Sequence, residues 1–409
     1  MPEENYYSSY SFKLISIDVL LSTLTVFGIL LIIPPITDFE SLRPFREAVG
    51  DFNITDVYFS SDIRGELPPE TDITIIQMAV PTREGLTEVS AKNYLKTINI
   101  LRAYEPKTIG VDYQFEISEE DPLYNAAVGI LSETPNIVLS KSFDQIGGKL
   151  KDTSNTNNFT DIISFGFDNI LIGNDEAMRS VREFSLWQDI EGDSVYHYGI
   201  ELAKRYNPDA VDRILSRGNQ VERINFRGNI DKFKIINVRN IIKGNFEEAD
   251  IRNKIIMLGY VGSNYVSANV EDLYFTPLNE NTAGRTFPDM YKLIVDANIV
   301  SMLLTDEYFD VLSTWITVTF AFVLCYINMI LFGYIGYRYS NFYEVGALIL
   351  FMIETFGIGY LTVYLFENYR LESNFTLAIV AVAISIPIFE LYTDTFKPFV
   401  KYVTKRKSF

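Results

Sequence analysis

The sequence predicts an α/β domain with a mostly parallel sheet, attached to a four-helix transmembrane part. Three observations predict it. Between residues 36 and 311, short apolar runs rich in β-branched residues alternate with segments of helical periodicity. Four long apolar runs frame that region, one before it and three after it. The framed region holds 27 basic and 44 acidic residues, a net of −17, whereas basic residues gather just outside the apolar runs.

Taken in order, Leu14–Ile33 is twenty residues with one charge, Asp18. At 1.5 Å per residue it reaches about 30 Å, the thickness of a bilayer core. Pro34-Pro35 follows where a cleavable leader would carry small residues, so the run reads as an uncleaved anchor. After an acidic stretch broken by Pro68-Pro69, Ile73–Val80 reads as a buried strand. Thr87–Tyr104 sets Ala91, Tyr94, Leu95, Ile98 and Leu101 on one helical face, and Pro106 ends it. Thr108–Val111 is a strand ending at Asp112, Asp121–Thr134 a helix, and Ile137–Leu139 a third strand. Strands alternating with helices in this way imply a parallel sheet. Gly147–Thr160 is polar and reads as a loop. Ile162–Ile172 and Val181–Trp187 read as an antiparallel insertion, and Ser194–Tyr206 as a helix stopped near Pro208. Ile224–Phe226 and Phe233–Ile236 are short strands. Ile255–Gly259 is an unbroken apolar strand, the one beside which the others are laid, and Phe287–Leu304 is a closing helix.

Ser313–Phe332, Val345–Phe366 and Phe375–Leu391 complete four spans. The predicted domains are therefore 1–35, a cytoplasmic start and anchor; 36–311, the extracytoplasmic domain; 312–393, three spans; and 394–409, a basic tail. Lys13, Arg338, Lys397, Lys401, Lys405, Arg406 and Lys407 fall on one side, against Arg370 in the short loop opposite. The excess of basic residues puts both termini in the cytoplasm and the domain outside a plasma or inner membrane.

Composition excludes several functions. The chain carries −18 overall, and an acidic domain gives nucleic acid no basic footprint. The one cysteine, Cys325, lies in a span, so the domain stands without disulfides. The one histidine, His197, leaves no Cys/His spacing for a metal and reads as a packing or surface residue. There is no phosphate loop, dinucleotide fingerprint or nucleophile elbow, so no catalysis and no cofactor is predicted.

Two places remain for chemistry. Asp112 ends a predicted strand, and ligands of open α/β sheets bind beyond the carboxyl ends of the strands. Asp272 lies in the loop after Ile255–Gly259, with Glu116 and Glu271 near in sequence. Together they predict an acidic rim for a cation, or for a basic or hydroxylated small ligand. The competing reading makes the two aspartates loop caps. Glu354, mid-span, is a polar site for a partner helix or a proton, or an uncharged acid facing the bundle.

The domain resembles the second class of the CHASE family of extracellular sensor domains. The likeness is carried by Thr108–Phe115 (TIGVDYQF), Asn136–Ser140 (NIVLS), Gly166–Arg182 with Asn174-Asp175, Ile224–Asn229 (INFRGN), and Ile251–Leu278 with its Thr276-Pro277. Met78-Ala79-Val80-Pro81 departs from the family's strand-end aspartate, and Asn253 from its glycine. The resemblance implies a sensory domain ahead of an effector. After Leu391 only 18 residues remain, so the expected output is a separate membrane or cytoplasmic effector protein. Self-association into a homo-oligomer is left open. The alternative is an assembly subunit of an envelope complex that uses the domain for docking.

Overall fold

The computed structural model of the chain describes residues 12–37, 54–82, 85–146, 149–152, 159, 162–170, 180–262, 273–279, 287–338, 342–392, 395 and 398. These divide into two compact units, one within Phe59–Phe309 and the other made from the described residues on either side. In chain order the elements used below are α1 (Phe12–Thr37), β1 (Ile73–Gln77), α2 (Ala91–Leu101), β2 (Thr108–Val111), α3 (Tyr124–Ser132), β3 (Ile137–Lys141), β4 (Phe165–Phe167), α4 (Tyr198–Tyr206), α5 (Pro208–Ser216), β5 (Lys234–Asn237), α6 (Val238–Lys243), β6 (Ile255–Gly259) and α7 (Lys292–Thr305). Three further helices, α8 (Thr314–Arg338), α9 (Tyr343–Tyr369) and α10 (Thr376–Leu391), belong to the second unit.

Among the described residues the domain is built on one six-stranded sheet in the order β5-β1-β6-β2-β3-β4, every pairing parallel. β6 lies between β1 and β2, and all five of its residues are buried, as its unbroken apolar run requires. Side chains alternate across the sheet. Ile76, Ile109, Val111, Leu139, Ile256 and Leu258 pack with Tyr94, Leu95, Ile98 and Leu101 of α2, Leu131 of α3 and Ile241 of α6. The opposite face takes α4 and α7. Gly110 of β2 meets the Tyr198 hydroxyl and Leu202 of α4, and Gly259 of β6 meets Leu293 of α7. Helix α7 is buried on every side from Leu293 to Leu303, which explains why most of its residues are apolar all round.

The structure corrects three sequence expectations. Ile162–Ile172 is not an antiparallel insertion: its core, β4, extends the sheet as a parallel edge strand beside β3. A three-residue strand has too short a pattern to declare its direction, which is set by its partners. Only the later part of that region is antiparallel, with Glu183–Ser185 on Val221–Arg223 and the hairpin of Trp187–Ile190 with Asp193–Tyr196. The helix expected from Ser194 begins at Tyr198, because Asp193–Tyr196 pairs as a strand and His197 caps the helix. The strand expected at Ile224–Phe226 is displaced to Val221–Arg223.

In the second unit, Thr314–Gly336 and Tyr343–Tyr369 are long and apolar enough to cross a membrane, by length and composition. The other two apolar runs expected to span also form helices, with shorter apolar stretches at Val19–Leu31 and Thr376–Leu391. Ile353, Phe356 and Tyr360 of α9 turn an apolar stripe outward. Asp310–Val311, at the entry to α8, pairs in parallel with Leu371–Glu372, between α9 and α10.

Candidate functional site

The carboxyl ends of β2, β3, β4 and β6 open on a cavity of about 340 Å³. Glu88, Asp112, Tyr113, Gln114, Ser140, Ser142, Asp168, Tyr260 and Lys292 line it. Each residue arrives by the same logic. A parallel strand delivers its last residues to one rim, so Asp112 follows β2, Ser140 and Ser142 close β3, Asp168 follows β4 and Tyr260 follows β6. Lys292 is the first residue of α7, on the sheet face opposite α2.

Lys292 Nζ is the hub. It donates to Asp112 Oδ1 at 3.0 Å and to Asp168 Oδ2 at 2.6 Å. Ser140 Oγ donates to Asp112 Oδ1 at 2.8 Å, and Ser142 Oγ to Asp168 Oδ1 at 2.7 Å, so both carboxylates are held in place by hydroxyls. One turn along α7, Asp296 Oδ2 lies 3.7 Å from the ammonium. Burial draws the Lys292 ammonium down, but Asp112, Asp168 and Asp296 outweigh it and hold it well above the ordinary lysine range. Burial pushes the Asp168 carboxyl up, yet Lys292 and the serine hydroxyls leave it below its usual value.

Asp296 is fully buried, and neither carboxyl oxygen has a hydrogen-bond partner among the described residues. Burial lifts its pKa to about 8. His197 Nε2 stands 3.8 Å from Asp296 Oδ1. Its Nδ1 accepts from the Gly199 N–H at 3.1 Å, which assigns the proton of the neutral ring to Nε2. The ring sits edge-on between Phe167 and Phe184, and burial lowers its pKa to about 3.

These two groups pull stability in opposite directions. Between pH ~3 and ~6.5 the unfolded chain takes a proton at His197 that the folded chain does not, so acid destabilises. Between pH ~4 and ~8 the folded chain keeps a proton on Asp296 that the unfolded chain has lost, so rising pH destabilises. Above pH ~6.5 Asp296 acts alone. Thermal melts from there to pH ~8 should show wild-type stability falling by up to about 1.4 kcal/mol per pH unit, and Asp296→Asn should flatten the slope.

At the mouth of the cavity, Tyr113 stacks on Tyr94 with ring centroids 4.2 Å apart, and Tyr94 donates to Glu88 Oε1 at 2.6 Å. The lining thus joins three carboxylates, one ammonium, two hydroxyls and two phenol rings. Such a set can hold a polar ligand of net positive charge or one rich in hydroxyls. Among the described residues, no cluster of His, Cys, Asp and Glu is arranged to hold a metal ion.

Of the residues expected at the rim, Asp112 lines the cavity and Glu116 does not. Glu116 is exposed two residues beyond Gln114, to whose carbonyl its N–H donates. Glu271 and Asp272 lie outside the described residues. Glu354 sits half-buried in α9 and accepts from Asn328 Nδ2 of α8 at 2.8 Å. Sequence reasoning missed Asp168 and Lys292. Asp168 was hidden by the misread direction of β4. Lys292 and Asp296 did leave a signal: they are the two charges within α7, four residues apart, in a mostly apolar helix.

A larger cavity of about 840 Å³ is lined by Arg64, Arg227, Lys232 and Asp289, among others. Its cations are committed locally, Arg227 to Glu70 at 3.3 Å and Lys232 to Glu66 at 2.9 Å. Size alone does not make it the better site, because its polar groups do not converge on one point as they do around Lys292.

Compared with curated proteins and with solved structures, the chain matches none. Residues 27–332 match the CHASE2 domain, three quarters of the chain. CHASE2 domains are a sensory, extracytoplasmic family, in keeping with an α/β domain that carries a polar cavity at its sheet rim. By the extent of that match, the chain belongs to the CHASE2 family.

Proposed function

We propose that the protein is a membrane-anchored sensor. Its domain faces away from the cytoplasm, binds a basic or hydroxylated small ligand at the rim around Asp112, and relays the event to a separate effector protein. The observation that carries this reading is the convergence of Asp112, Asp168, Ser140, Ser142 and Lys292 on one cavity beyond the carboxyl ends of parallel strands. Four helices cross the membrane with both termini inside, and the two that bracket the domain, Leu14–Ile33 and Ser313–Phe332, carry the signal. A ligand shifts those helices only if it binds their two arrangements with different affinity.

The test is a thermal-shift screen of the full chain in nanodiscs against small amines, amino sugars and polyols. A ligand at about a hundred times its Kd stabilises by about 2.7 kcal/mol, or roughly 5–10 °C for a domain of this size. The expected result is such a shift in wild type that Asp112→Asn abolishes. No shift from any compound, or equal shifts in both proteins, would remove the rim from the account.

A further inference from the structure

We propose that the rim takes a primary ammonium group, and that Lys292 is the built-in occupant it displaces. The ligand's ammonium takes over Asp112 and Asp168, while Lys292 turns to Asp296. This rests on the reading of the rim as a ligand pocket and narrows it to one chemistry.

The berth is already an ammonium site. Lys292 Nζ sits 2.6 Å from Asp168 and 3.0 Å from Asp112, two carboxylates that Ser142 and Ser140 hold in place. Glu88, Asp112 and Asp168 outnumber Lys292 in the lining, so the cavity attracts a second cation and repels an anion. Tyr113 and Tyr260 supply rings at the mouth for the methylenes and positive charge of an alkylammonium.

The second berth is what makes exchange feasible. A displaced buried lysine would ordinarily be stranded. Here Asp296 Oδ2 is 3.7 Å from Nζ, on the same helix and one turn along, so the two meet by side-chain rotation with no backbone movement. Asp296 is fully buried and neither of its oxygens is hydrogen-bonded among the described residues. A buried carboxyl in that condition calls for an explanation, and a place held for Lys292 supplies one.

The experiment is calorimetric titration of the full chain in nanodiscs with cadaverine, a diamine, and with the diol of the same chain length as the uncharged control. At about pH 8.5 the amine keeps its charge and Asp296, lifted to about 8, need not shed a proton. Wild type should bind cadaverine and not the diol. Asp296→Asn, which lies outside the cavity lining, should weaken cadaverine by about tenfold or more, and Lys292→Met, freed of its internal competitor, should bind it about tenfold tighter. If Lys292→Met does not fold, Asp296→Asn decides alone, because it removes a buried carboxyl that no hydrogen bond holds among the described residues.

Equal affinity in wild type and Asp296→Asn overturns the exchange. Binding to Lys292→Met with none to wild type also overturns it, by making Lys292 a permanent strut. If the diol or another polyol binds through Asp112 and cadaverine does not, the ammonium chemistry falls and the pocket stands. If nothing binds, both fall together.

Discussion

Lys292→Met should cost the domain about 3 kcal/mol, the low end of the range for removing one partner of a buried ion pair. The low end applies because the Lys292 and Asp112 side chains keep 19% and 20% of their surface in water, while Asp168 keeps 3% and Asp296 none. The loss arises from the carboxylates left behind. Asp168 loses its strongest contact, at 2.6 Å, and retains only hydroxyl side-chain partners among the described residues. For a domain of roughly 250 residues this lowers the melting temperature by roughly 6–12 °C. Adding Asp168→Asn should recover much of the loss, because the stranded charge is then gone, and the double-mutant cycle should give a coupling of about 1–3 kcal/mol. Melts of the four proteins in one detergent measure it. An unchanged melting temperature for Lys292→Met would mean that the ammonium does not hold the rim together.

Gly166→Ala should be at least as damaging, for a steric reason. A Cβ at Gly166 would lie 2.5 Å from Tyr198 Cα, 2.7 Å from Tyr198 N and 3.0 Å from His197 C. These are backbone atoms at the start of α4, and no rotamer change can clear them. The edge strand β4 and α4 would have to separate, at a cost of about 3 kcal/mol or more. Asp168, two residues on, would move with the strand, so a ligand held at the rim should also be lost. Gly129, in α3, is the control: a Cβ there would meet nothing within 4 Å, and Gly129→Ala should gain about 0.5–1 kcal/mol from the helical backbone. Chemical denaturation of both variants distinguishes packing at Gly166 from any general effect of adding a methyl group.

The sheet was legible because its central strands are buried on both faces. Ile73–Gln77 and Ile255–Gly259 have no polar alternation to confuse with a helix, and their lengths suit strands. Asp112 was legible by position, since a strand followed by an aspartate puts a carboxylate at the rim. The rest of the site depends on distance along the chain. Lys292 meets Asp112 across 180 residues and Asp168 across 124, and no local pattern encodes such a meeting. His197 was read as a helix residue because Ser194–Tyr206 was read as one helix, while its function in the fold is to accept the Gly199 N–H at the first turn. Glu116 shows the opposite error: nearness in sequence to Asp112 did not become nearness in space, because the chain leaves the rim after Gln114.

The short parallel pair in the second unit has a mechanical consequence. The Asp310 N–H donates to the Arg370 carbonyl and the Leu312 N–H to that of Glu372, each at 2.8 Å. Those bonds clamp the lead-in of α8 to the turn that joins α9 and α10. A tug on the chain at Val311 is therefore not borne by α8 alone. Three helices share the load through a crossbar of peptide bonds, and they tilt together or the bar must break.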